Sequence, residues 1–146
     1  MIPAGTTSIP QDILKESLLA RVAAAYFAVG KRLERKTECS ATRGFILSTL
    51  RGGVRLNQNQ IAVRLGLDRT VVHRAIKSMV QEGLLSERKA AAGRAMLVQL
   101  TSRGASYRER LIRARRAADE KLRQQLSPQD QSTLVRLLEV VTDLEF

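Results

Sequence analysis

The chain has 146 residues, 25 lysines and arginines against 14 acids, one cysteine, no tryptophan and 3% aromatic residues. That length suits one ordinary domain, and 44% apolar residues can build a core, which excludes wholesale disorder. A lone cysteine excludes an internal disulfide framework and a cysteine-rich zinc site, and the scarcity of rings argues against a base-stacking single-strand binder. The net charge of +11 is the outlier, and it points to an anionic partner: nucleic acid or a membrane surface.

The charge is partitioned. Residues 1–50 carry +3, 51–100 carry +6, 101–126 carry +5, and 127–146 carry −3. A uniformly solubilising surface would not divide this way, so a basic working face in the middle of the chain is expected. Residues 1–9 lack the charged start and apolar middle of a secretion signal and read as a flexible arm. The most apolar stretch, Val22–Val29, is bounded by Arg21 and by Lys31 and Arg32. It is far short of the ~20 residues that cross a bilayer, so a cytoplasmic setting is expected.

Pro10 to about Lys36 reads as one long helix. Leu14, Leu18, Val22, Ala25, Val29 and Leu33 recur every three or four residues, and Leu19, Ala23 and Phe27 form a second line beside them. Two apolar faces on one long helix predict packing against another chain. Ser40 is placed to cap a second helix running to about Arg51 through Phe45, Ile46 and Leu50, with Gly52 and Gly53 stopping it. Asn57 with Gln60 three positions on fits a capping box, opening a short helix with Ile61, Ala62 and Leu65 inward and Gly66 at its end.

Asp68 then caps a further helix whose inward face is Val72, Ala75, Ile76 and Met79, closed by Gly83. Two such helices joined through Gly66 and Leu67 make a helix-turn-helix. Leu84–Lys89 and Ala95–Leu100 are strand-like, with a turn over Ala90–Gly93, so a wing follows directly. Thr101 caps a long helix to about Gln125, thin in apolar positions and crowded with arginine. Ser127 and Pro128 begin a last helix with a stripe of Leu134, Leu137, Leu138, Val141 and Leu144. The fold expected is mainly α with a small β-hairpin wing: a winged helix-turn-helix lobe over 40–100, flanked by dimerisation helices over 10–36 and 101–146.

The order of these elements and several local words resemble the MarR family of bacterial transcriptional regulators. The words are NQNQIAVRLGLDRTVVHRAIKSMVQEGLL from Asn57 and GRAMLVQLTSRG from Gly93. The resemblance implies a homodimer with interlocked first and last helices, two winged lobes on palindromic duplex DNA, and often a small effector that releases it. On that basis Leu14, Leu18, Val22, Leu134, Leu138 and Val141 would lie in the dimer interface. Tyr26, Arg43, Tyr107 and Arg110 would be the candidates to line an effector pocket. Family wings usually carry an Asp-x-Arg word, whereas here Ala92, Gly93 and Arg94 stand in its place. Asp68 remains as a partner for Arg94, in an ion pair that would join wing to recognition helix.

With its apolar face turned inward, the helix after Asp68 presents Arg69, Thr70, Val71, His73, Arg74 and Lys77 outward as one patch. Arginine suits guanine O6 and N7 in the major groove, so Arg74 is the leading base reader. Thr70 or Val71 suits a thymine methyl, and Arg69 and Lys77 suit phosphates. Gln58 and Asn59 open the preceding helix, where free N–H groups favour a phosphate. Arg88, Lys89 and Arg94 flank the wing turn. His73 reads as an ordinary polar surface residue, with a pH-sensitive DNA contact as the alternative, and it lacks companions for a metal site. Cys39, just before the cap Ser40, reads as a buried and inert thiol, although some members of the family sense oxidants through one thiol. The many arginines after the wing fit three roles: DNA backbone contact, cross-dimer salt bridges, or an anionic effector.

These readings converge on a dimeric, sequence-specific duplex-DNA-binding regulator, a repressor released by a small anionic or aromatic effector, needing neither metal nor cofactor. The alternative is an effector-independent architectural or accessory nucleic-acid-binding protein. An enzyme is disfavoured, because the sequence has no HExxH, no phosphate-cradling glycine loop and no Cys–His pairing.

Overall fold

The single helix expected from Pro10 is two helices in the computed structural model, which describes residues 10–145. Helix α1 spans Gln11–Glu16 and α2 spans Leu18–Thr37. Ser17 between them is extended (φ −124°, ψ 117°), and its hydroxyl accepts from the Ala20 N–H at 3.1 Å. A serine that satisfies the first turn of one helix from outside it competes with continuing the previous one, and here the cap wins over the apolar period. The arm expected over residues 1–9 lies outside the described residues.

Helix α3 spans Ala41–Thr49 and ends short of the expected Arg51, where residues Arg51–Gly53 form a 3₁₀ turn. Ser40 caps it as expected, accepting from the Arg43 N–H. Its buried face is Gly44, Ile46 and Leu47, and Phe45 is exposed. Helices α4 (Gln58–Leu65) and α5 (Arg69–Gln81) form the helix-turn-helix. Both halves of the α4 capping box are made: the Gln60 N–H donates to Asn57 Oδ1 at 2.8 Å and the Asn57 N–H donates to Gln60 Oε1 at 2.9 Å. Gly66 ends α4 in the left-handed region (φ 61°), which lets the chain reverse toward α5 without the cost of a Cβ there.

Strands β1 (Leu85–Lys89) and β2 (Met96–Leu100) pair antiparallel, with Leu85 opposite Leu100 and Lys89 opposite Met96. Leu56 adds a bridge to Val98, so the wing is pinned at its base by the segment that leads into α4. Val98 is fully buried while Met96, toward the tip, is exposed. Ile46, Leu47, Leu50, Ile61, Val72, Ile76, Met79, Leu85 and Val98 form the centre of one core drawn from α3, α4, α5 and the wing.

Helix α6 spans Ser102–Gln125 and α7 spans Pro128–Thr142. The described chain divides into two compact units, one ending at Leu111 and the other beginning at Ile112, within α6. In the second unit Ser127 caps α7, accepting from the Asp130 N–H at 3.1 Å, and Gln131 reaches back to the Leu126 carbonyl. The apolar stripe of α7 is present, but no residue of α7 is buried: Leu134, Leu137, Leu138 and Leu144 are exposed and Val141 is half-buried. In the first unit α1 has no buried residue and α2 has only Ala24. Leu14 and Val22 are half-buried, whereas Leu18 is 81% exposed.

The start of α6 is locked to the end of the helix-turn-helix. The Thr101 N–H donates to the Leu84 carbonyl, the Thr101 hydroxyl donates to the Gly83 carbonyl at 2.6 Å, and the Gly104 N–H donates to that hydroxyl oxygen. A Cβ on Gly104 would lie 1.9 Å from the Leu84 carbonyl oxygen, an overlap with backbone that no rotamer relieves. Gly104→Ala is therefore expected to lower stability by about 3 kcal/mol, read as a fall in the urea midpoint at unchanged slope. A midpoint within experimental error of the parent would show that this contact is not structural.

Candidate nucleic-acid interface

The rotation of α5 about its own axis decides what the protein shows to solvent. Val72, Ile76 and Met79 are each fully buried, and Ala75 packs partly against the same core. That leaves Arg69, Thr70, Val71, His73, Arg74 and Lys77 exposed, as the spacing predicts. None of Arg69, Arg74 and Lys77 takes part in an ion pair within the described residues. Arg88, Lys89 and Arg94 are exposed at the wing, and Asn59 is exposed at the first turn of α4.

The N-terminus of α5 is set by Asp68. Its Oδ1 accepts from the Thr70 N–H at 2.7 Å and the Val71 N–H at 3.3 Å. These two bonds, first that of Thr70 and then that of Val71, hold the carboxyl below its ordinary value, with the Arg74 charge adding to them. The expected ion pair between Asp68 and Arg94 is not formed. A carboxylate committed to two helix N–H groups is already satisfied where it stands, and Arg94 stays exposed in the turn.

The wing and α5 are joined by a different route. Gln58, half-buried at the start of α4, donates from Nε2 to Glu87 Oε1 on β1 at 2.9 Å, and its Oε1 lies 2.7 Å from His73 Nδ1 on α5. Three elements thus meet through one neutral amide. Sequence reasoning named Gln58 and His73 but missed Glu87; the one acid in an otherwise basic wing strand was the available signal.

The residues proposed for an effector fall into two places. Tyr107 is half-buried, its hydroxyl donating to the carbonyls of Glu38 (3.3 Å) and Thr37 (3.4 Å), and the Arg110 guanidinium stands over its ring at 5.4 Å. Burial first, then the neighbouring Cys39, pushes the Tyr107 phenol above its ordinary value. Arg43, also close enough to act on that phenol, pairs with Glu82 at 2.5 Å, while its buried Nε has no hydrogen-bond partner among the described residues. Tyr26 is elsewhere engaged, edge-to-face with Phe27 at 5.7 Å and 55% exposed. Cys39 is buried, as expected. Glu82, Ser78 and Cys39 were not anticipated as parts of this cluster, since nothing in their local sequence brings α3, α5 and α6 together.

Residues 42–95, from α3 through the wing turn, match the profile of the MarR family. This segment is similar to the winged helix of that family. Most of the chain is also similar in fold to solved transcriptional regulators at low identity. The MepR–DNA complex of S. aureus superposes with a TM-score of 0.77 at 19% identity, covering 88% of this chain and 98% of that one. A mutant MarR from E. coli complexed with operator DNA gives 0.76 at 19%, covering 88% and 96%. PcaV of Streptomyces coelicolor, in complex with its natural ligand, gives 0.74 at 21%, covering 94% and 98%. No curated protein matches the chain in sequence. No helix among the described residues is long and apolar enough to cross a membrane, and no group of three potential ligands there could hold a metal ion.

The Arg43–Glu82 pair ties α3 of this winged helix to the end of α5, and it has a pH signature. The Arg43 hydrogen bond is the largest influence on Glu82, outweighing partial burial, and it holds the carboxyl below its ordinary value of 4.5. A depressed folded-state value contributes stability that is present above the unfolded value and lost as pH falls through the folded one. Arg43→Gln is expected to return the Glu82 titration, followed by carboxyl carbon chemical shift, upward toward 4.5 and to flatten the acid limb of stability. An unchanged Glu82 titration in the variant would rule the pair out as its cause.

Proposed function

We propose that the protein is a dimeric, duplex-DNA-binding transcriptional regulator that acts as a repressor and is released by a small anionic aromatic effector. The observation that carries the DNA reading is the fixed rotation of α5, which aims Arg69, Thr70, His73, Arg74 and Lys77 outward with no ion pair among the described residues competing for the cations. An α-helix fits the major groove, and Arg74, mid-helix, is the guanine reader. Arg69 and Lys77 flank it as phosphate partners, and Arg88, Lys89 and Arg94 of the wing extend the contact along the backbone.

Dimerisation is supported by the large apolar side chains left exposed on α1 and α2 and, in the second unit, on α7. Leu14, Leu18 and Val22 near the start, with Leu134, Leu138 and Val141 near the end, are the interface residues. A two-fold dimer presents two recognition helices, so its operator is palindromic with half-sites about one helical turn apart. The effector reading is supported by the Tyr107 cluster. Its cations Arg43 and Arg110 suit a carboxylate, and the Tyr107 ring suits an aromatic body. The MepR and MarR structures in complex with DNA, and PcaV with its natural ligand, make both kinds of partner reasonable for this fold.

Arg74→Ala is expected to cost roughly 1–3 kcal/mol in operator binding and to relax preference at one base pair, whereas Arg69→Ala weakens all duplexes alike. Wild-type affinity is expected to fall roughly a thousandfold between about 50 and 200 mM salt if about six phosphates are contacted. Fluorescence anisotropy with labelled duplexes measures all three. Two unaffected variants would remove α5 from the interface, and equal affinity for scrambled duplexes would favour an accessory protein without sequence preference. Leu138→Asp is expected to give monomers in sedimentation analysis; a persistent dimer would contradict the interface assigned to α7.

A further inference from the structure

The Glu87–Gln58–His73 chain determines which ring nitrogen of the histidine carries a proton. A carboxylate only accepts hydrogen bonds, so the 2.9 Å contact with Glu87 must use the amide nitrogen of Gln58. The amide oxygen therefore faces His73, and an amide oxygen also only accepts. At 2.7 Å from that oxygen, Nδ1 must be the donor. The opposite arrangement would set the Gln58 oxygen against the carboxylate and lose that contact, although an amide N–H could then donate to a bare Nδ1; the carboxylate is what selects the first arrangement. In the neutral imidazole the proton therefore sits on Nδ1, and Nε2 is left as a lone-pair acceptor. Among the described residues Nε2 has no hydrogen-bond partner, and His73 is exposed on the outer face of α5 beside Arg74.

We propose that the Glu87–Gln58 pair locks His73 in its Nδ1–H form, so that Nε2 reads an exocyclic base amine in the major groove. The bases that offer one are cytosine at N4 and adenine at N6. This rests on the assignment of α5 as the groove-facing helix. Guanine O6 and thymine O4 are acceptors and would be rejected by an acceptor at that point, while the neighbouring Arg74, a pure donor, favours guanine. Adjacent positions on one helix thus impose opposite chemistry on neighbouring base pairs. Gln58, half-buried beneath the helix, acts on DNA only through the ring it orients, so it and Glu87 are positioning residues.

The chain has one histidine, which makes the first test unambiguous. Ring nitrogen chemical shifts of the ¹⁵N-labelled, tag-free protein without DNA, followed across a pH series to its alkaline plateau, report the tautomer directly. The expected result is a protonated Nδ1 and a bare Nε2. Glu87→Gln, which lets Gln58 turn either way, and Gln58→Leu, which removes the acceptor, should both shift the ring toward the mixture of a free imidazole. A predominantly Nε2–H ring in the parent, or a tautomer unmoved in both variants, overturns the lock.

The second test selects bound duplexes from a random pool. The parent should show one position per half-site restricted to adenine or cytosine, with roughly tenfold loss for other bases, and Glu87→Gln and His73→Ala should lose that restriction while keeping the guanine preference attributed to Arg74. A restriction that survives His73→Ala overturns the base-reading role. A pool with no sequence preference at all, beside a locked ring in the spectrum, places the failure in the assignment of α5 to the groove and removes the base-reading role with it.

Discussion

Burial of Val72, Ile76 and Met79 is the constraint on which the working surface depends. Each is fully enclosed by a core contributed by α3, α4 and the wing, and a helix has only one rotation that satisfies all three at once. Once that rotation is set, the outward positions of α5 are determined to within a side-chain rotamer. The caps then fix where the helix starts. Asp68 holds the first turn and Gly66 turns the chain into it, so Arg69 and Thr70 are delivered at a defined end of the helix. Loss of core packing under α5 would misdirect cations that touch nothing in the core.

The wing enters the same arrangement from below. Leu56 is hydrogen-bonded to Val98, and the amide of Gln58 spans from Glu87 to His73. A displacement of β1 is therefore felt at the outer face of α5 through two short hydrogen bonds. The Thr101 hydroxyl and the close approach of Gly104 tie the root of α6 to the same corner. Arg43 and Glu82 tie α3 to the far end of α5.

Much of this was legible in the sequence because it is local. Caps at Ser40, Asn57, Asp68 and Ser127, the αL glycine at Gly66 and the inward face of α5 all follow from residue types at fixed offsets, and all are present. What was not legible is non-local or competitive. Ser17 breaks a regular apolar period because a cap hydrogen bond outweighs it, and periodicity alone gives no warning of that. Asp68 had two possible uses, as a cap or as the partner of Arg94, and the sequence could not weigh two nearby N–H groups against a distant cation. Glu87 and Glu82 act through partners 29 and 39 positions away, so their roles emerge only when the elements are assembled. The exposed stripe of α7 was read correctly as a stripe, but periodicity does not say whether its cover lies in the same chain.

The central claim is that the outer face of α5 lies against bases. A photoreactive side chain placed at Thr70, with a second protein carrying it at Arg113 on α6, tests this most directly when each is irradiated with a selected duplex. The account predicts a crosslink from position 70 to bases of the half-site, and weaker or backbone-only crosslinking from position 113. Base crosslinks from position 113 with none from position 70 would contradict it and move the interface to α6.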